Sequence, residues 1–81
     1  MSIRVLFFAS LADAAGTRER KVEAAGLTDV ISVFDRCAAD TPALESYRAS
    51  VLLALNSEFA RPSSPVRDGD EIAFFPPVSG G

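Results

Sequence analysis

The sequence contains neither histidine nor tryptophan, and only one cysteine, Cys37. Without imidazole groups, Ser/His and Cys/His nucleophile pairs are excluded, and so are metal clusters built on His and Cys. A lone cysteine cannot close an internal disulfide. Positive charge is also scarce: eight basic residues face eleven acidic ones, for a net charge of −3. The longest basic run is Arg20-Lys21, too little for a nucleic-acid footprint, so a partner that feels this field is expected to be basic. The N-terminus has no charged region leading into an unbroken apolar stretch, and no window approaches the roughly 18 apolar residues of a membrane span. These absences lead us to expect a soluble, cytoplasmic protein that binds neither nucleic acid nor membrane.

What is present is a single short domain, 81 residues of which 48% are apolar. A chain of this size buries only about 60% of the surface it exposes when unfolded. It has little material for a deep catalytic cleft, which argues against an enzyme acting alone.

Ile3 to Ser10 is almost wholly apolar and reads as a strand, after which Leu11 to Thr17 loosens into small residues ending at a Gly16-Thr17 turn. Arg20 to Ala24, with Val22 between charged neighbours, suits a short edge strand pairing back as a hairpin. Thr28 is placed to cap a helix in which Val30, Val33, Phe34, Cys37 and Ala38 recur at helical spacing until Asp40-Thr41-Pro42 stops it. Pro42 to Ser50 reads as an irregular turn or short helix anchored by Leu44 and Tyr47. Val51 to Leu55 returns to strand composition, Asn56-Ser57-Glu58 reverses the chain into Phe59-Ala60, and Asp68-Gly69-Asp70 turns it into a last strand, Glu71 to Phe75. The order is ββαβββ or close to it, an α+β arrangement with the outline of a β-grasp domain: a mixed sheet of four to five strands with one main helix across it. Residues 1–75 form this domain and 76–81 a tail.

The side chains offer little chemistry. Cys37 shares a helical face with Val30, Val33 and Phe34 and reads as a small buried hydrophobe. Asp68, Asp70 and Glu71 lack the number and spacing of ligands of a calcium loop and read as turn chemistry. The unusual feature is the end, Pro76-Pro77-Val78-Ser79-Gly80-Gly81. Two prolines favour an extended course, so six residues reach up to roughly 20 Å at ~3.3 Å each. Glycines without Cβ pass through a narrow channel and let enclosing backbone approach the terminal carboxylate, the one group in the tail open to covalent activation. A bare Gly-Gly also fits a flexible end or an appended scar; Phe-Pro-Pro-Val-Ser in front of it weighs against that reading.

Strand parity adds a surface. Phe8 shares parity with Arg4 and Ser10, Phe59 with Ser57 and Arg61, and Phe75 with Glu71, so each aromatic is assigned to a face bearing polar neighbours. Ile3, Val5, Phe7, Ile72 and Phe74 then supply the core on the other face. Phe8, Phe59 and Phe75 clustered beside the tail would anchor a partner, whereas a bulge or register slip would turn some of them inward.

Val5-Leu6-Phe7-Phe8-Ala9, the stretch Asp68 to Phe75, and the tail Pro76 to Gly81 together resemble the small subunit of molybdopterin synthase, a ubiquitin-like sulfur carrier. Asn56 before a reversal and Pro65 before the Asp-Gly-Asp turn fit as well. The sequence departs at Ala12, where many members have arginine, and Lys21 to Ser50 carries no transferable motif. The resemblance implies that an activating enzyme uses ATP to adenylate the Gly81 carboxylate, that sulfur replaces AMP to leave a thiocarboxylate, and that nucleotide is handled on that enzyme, with no cofactor bound here. It implies that Pro76, Pro77, Val78, Ser79 and Gly80 insert into the large synthase subunit, in an assembly of two small and two large subunits. Sulfur would pass there to a cyclic pyranopterin monophosphate, two deliveries building the dithiolene that holds molybdenum. Catalytic side chains would belong to the large subunit, and Phe8, Phe59 and Phe75 would dock. Two alternatives stay open: a carrier for thiamine or tRNA thiolation, with the same terminal chemistry and another acceptor, and a ubiquitin-like modifier or interaction module.

Overall fold

The computed structural model describes residues 2–77. The chain runs β1 (Ser2–Phe7), α1 (Ser10–Ala15), β2 (Glu19–Glu23), α2 (Val30–Asp40), a 3-10 turn (Pro42–Tyr47), β3 (Leu52–Leu55), β4 (Glu58–Phe59) and β5 (Glu71–Phe75). These strands form one five-stranded sheet in the order β2-β1-β5-β3-β4. The first and last strands, β1 and β5, are parallel neighbours at its centre, and every other pairing is antiparallel. The short, charged strand β2 lies at an edge, where exposed charges discourage pairing with another chain.

Alternation along β1 and β5 sends Ile3, Val5, Phe7, Ile72 and Phe74 to one face, where all are buried against Val33, Phe34, Cys37 and Leu44. Phe34 meets Phe74 edge-on with centroids 5.0 Å apart, an arrangement the ring quadrupoles favour. No charged side chain is fully buried among the described residues. Arg20 comes nearest: its guanidinium lies 5.9 Å from the Phe7 ring centre and donates from Nη2 to Thr41 Oγ1 at 3.1 Å, while Nη1 is enclosed without a hydrogen bond among the described residues.

Helix α2 begins one residue later than expected, because Asp29 rather than Thr28 caps it. The Asp29 carboxylate accepts from the Ser32 amide at 3.0 Å, and Ser32 Oγ accepts from the Asp29 amide at 3.2 Å. The amides of Val30 and Ile31 donate to Ser64 and Pro62 carbonyls, so the loop before β5 satisfies donors that the helix start leaves open. Cys37 is fully buried on this helix, and burial pushes its thiol above the usual range, against the nearby Arg20 charge. The unfolded thiol ionises near pH ~8.5, so the stability this group lends is complete below that value and lost as pH rises through the folded one. Native protein at neutral pH should therefore take up iodoacetamide far more slowly than denatured protein. Equal rates by intact mass would mean that the site opens readily.

The structure corrects the expected span of the first strand. It ends at Phe7 rather than Ser10, and Ser10–Ala15 forms a helix where loose chain was expected. The six-residue helix has one fully buried anchor, Leu11, among alanines, too little for helical periodicity to register. Ala9 makes the corner at φ 52°, ψ −128°, a region glycine tolerates and alanine enters at a cost of about 1–3 kcal/mol. Ala9→Gly should stabilise the domain by about 1 kcal/mol after the extra chain entropy of glycine is deducted. That corresponds to a rise in Tm of about 4–8 °C; a fall would show that the corner is unstrained.

Candidate functional site: the open sheet face and the tail exit

Among the described residues, no element covers the face of the sheet away from α2. Its residues follow from the register: Arg4 stands beside Lys21 and Glu71, Leu6 beside Glu19 and Ala73, Ala54 between Ala73 and Phe59, and Leu52 beside Phe75. The β2 side is charged and the β3–β4 side is apolar. Phe8 and Phe75 stack nearly parallel, 9° apart with centroids at 4.7 Å. Phe8 remains 43% exposed and Phe59 83%, the two large hydrophobic side chains most open to solvent among the described residues. Phe75 is half-buried, shielded in part by Phe8. The three phenylalanines singled out by parity thus share one face, and no bulge turns any of them inward.

Phe59 owes its position to a two-residue turn in which Asn56 and Ser57 both adopt positive φ, 51° and 72°. Asn56 ties this turn to the start of β5. Its amide donates to the Glu71 carbonyl at 2.7 Å, its Oδ1 accepts from the Glu71 amide at 2.9 Å, and its Nδ2 donates to Asp70 Oδ1 at 3.1 Å. Asp70 also accepts from the Arg67 amide at 2.8 Å, so this acidic group is occupied with turn closure.

On the charged side, Arg4 is gripped by Glu19 through Nε–Oε2 at 2.9 Å and Nη2–Oε1 at 3.1 Å, and Nη1 reaches Glu71 Oε2 at 3.1 Å. The hydrogen bond from Arg4 holds the Glu19 carboxyl below the usual carboxylate range. All three side chains are well exposed, so the network orients groups more than it stabilises the fold.

The end of β5 explains why the tail leaves the sheet. The Phe8 amide donates to the Phe74 carbonyl at 3.1 Å, a rung of the parallel β1–β5 ladder. The next rung would need an N–H at position 76, and Pro76 has none. The Phe8 carbonyl that would have accepted it takes the Leu11 amide instead, at 3.0 Å. Proline on one strand and the α1 corner on the other close the ladder together. Pro76 and Pro77 then border an apolar hollow of about 350 Å³ with Phe8, Leu52, Phe59 and Phe75. Val78, Ser79, Gly80 and Gly81 lie outside the described residues.

Sequence reading did not single out Leu6, Leu52 and the Ala54–Ala73 pair, which give the aromatic cluster its floor. Parity along each strand carried that information, but small aliphatic residues draw no notice until register sets them side by side. Among the described residues no group of acidic or cysteine side chains is arranged to hold a metal ion, and no helix is long and apolar enough to cross a membrane.

A mixed sheet with parallel first and last strands, one long helix across one face and a proline that ends the ladder after the last strand define a ubiquitin-like protein of the β-grasp class. Residues 5–81 match the ThiS family. The molybdopterin synthase sulfur carrier subunit of Escherichia coli is 41% identical over 98% of this chain and 99% of its own. The same-named subunit of Chlamydomonas reinhardtii is 37% identical with both chains fully covered. Among solved structures, small archaeal modifier protein 1 of Haloferax volcanii superposes with a TM-score of 0.84 at 32% identity, covering 95% of this chain and 98% of that one. The chain belongs to the ThiS family.

Proposed function

We propose that this chain is the sulfur carrier subunit of a molybdopterin synthase, working through a thiocarboxylate at Gly81. What carries the reading is the release of the chain from the sheet at Pro76, beside the exposed aromatic cluster, in a chain whose full-length relatives are named as such carriers. The carboxylate is a poor acyl donor. Attack of one of its oxygens on the α-phosphorus of ATP, on an activating enzyme, releases pyrophosphate and leaves an acyl adenylate with AMP as a good leaving group. Hydrosulfide, or a donor that releases sulfur at the same oxidation level, then attacks the acyl carbon as the C–O bond to AMP breaks. The resulting thiocarboxylate is ionised near neutral pH and places charge on a polarizable sulfur.

In this reading the chain supplies no acid or base. Residues 76–81 enter the large synthase subunit, Phe8, Phe59 and Phe75 hold the two proteins together, and the large subunit binds the pyranopterin that accepts sulfur. Intact mass after incubation with ATP, a sulfur source and the cognate activating enzyme should rise by about 16 Da, one oxygen replaced by sulfur. An unchanged mass, with the enzyme active on another carrier, would refute it.

The likeness to an archaeal modifier protein favours a second reading, in which the same activated terminus forms an isopeptide bond with a lysine of another protein. A covalent adduct that survives thiol treatment, in place of the 16 Da gain, distinguishes the two.

A further inference from the structure

Beside the tail exit lies a second hollow, about 220 Å³ in volume, whose shape and charge suit one kind of side chain. Its floor is the cross-strand pair Ala54 and Ala73, the smallest side chains on this face. Its walls are aromatic, with the stacked Phe8 and Phe75 on one side and Phe59 on the other. Its polar lining residues are Glu71 and Ser57. Arg4 only partly neutralises Glu71, because Glu19 already takes two donors of that guanidinium and a single contact to Glu71 remains. Lys21 adds a through-space charge toward Glu19, whereas the Glu71 carboxylate has the single Arg4 contact, and its Oε1 has no hydrogen bond among the described residues.

Resting on the reading of this face as the docking surface, we propose that the hollow receives an arginine side chain from the partner protein. Its aliphatic stem lies over Ala54 and Ala73, its guanidinium plane passes between aromatic rings, and its N–H groups meet Glu71. An apolar side chain would fill the same floor and walls but leave the carboxylate unanswered. A chain of net charge −3 also draws a basic partner surface.

The test is a titration of the isotope-labelled full chain, followed by amide shifts, with N-acetyl-arginine methylamide and with its citrulline and leucine counterparts. The arginine compound should shift Ala54, Ser57, Glu71 and Ala73 and bind about three- to fivefold tighter than citrulline, as a part-exposed ion pair allows. Glu71→Gln should remove that advantage, whereas Arg4→Gln, which takes away the competing cation, should enlarge it. A role confined to holding the sheet together would move both variants the same way. Equal binding of citrulline or leucine, or no saturable shift at these four amides, overturns the proposal. With the large synthase subunit as titrant, failure of the unmodified chain to bind would sink the docking reading instead. Binding that is indifferent both to Glu71→Gln and to filling the floor by Ala73→Leu would sink this one.

Discussion

Deleting Gly81 should abolish the 16 Da gain and all sulfur delivery while leaving the melting temperature of the domain unchanged. The expected loss is total because the deletion removes the carboxylate that activation is proposed to place in register with the nucleotide. The new terminus at Gly80 would sit one residue, about 3.3 Å, short of that position. Gly80 replaced by a bulky residue should be nearly as damaging, since a Cβ and beyond must pass wherever the enclosing backbone approaches closely. Stability should not follow, because the β1–β5 ladder already ends at Pro76 and the buried core of the described residues lies within 3–74. Activation of the truncated chain at the normal rate would overturn the tail mechanism, and a fall in melting temperature would show that the tail belongs to the fold.

Two adjacent phenylalanines should behave as opposites. Phe74 is fully buried between Phe7 and Phe34, so Phe74→Ala leaves a cavity at the centre of the core and should cost about 3–5 kcal/mol. For a domain this small that is most of the available stability, and the variant should be largely unfolded at 37 °C by circular dichroism. Phe75 points to the other face and stacks on Phe8. Phe75→Ala should leave a folded protein that binds the large subunit more weakly by about 2 kcal/mol or more. Phe59→Ala should separate the two effects most cleanly, because a side chain 83% exposed has little packing to lose. A melting temperature lowered by Phe59→Ala as much as by Phe74→Ala, with partner affinity intact, would contradict the division of the two faces.

That division is legible in the sequence. The period of two in β1 and β5 assigns each residue a side, and the helical spacing of Val30 to Ala38 marks the cover for one of them. The proline pair and the Asn56 and Asp-Gly-Asp reversals were equally plain, because proline's missing N–H and the turn residues act through local backbone chemistry. The α1 helix was not legible. It is held by Leu11 in the core and by a strained corner at Ala9, neither of which leaves a periodic trace in six residues.

The sequence alone therefore determined the class of the fold, the two faces of its central strands and the proline break after Phe75, since each depends on residues close together in the chain. The tertiary structure alone decided what those faces contain. It put β1 beside β5 across the whole length of the chain, stacking Phe8 on Phe75, and it set Ala54 against Ala73 to make a floor. It also drew Glu19 and Glu71 onto one guanidinium. Each of these joins residues distant in the chain, and their pairing is fixed by register, which packing of the buried face selects and local sequence does not encode.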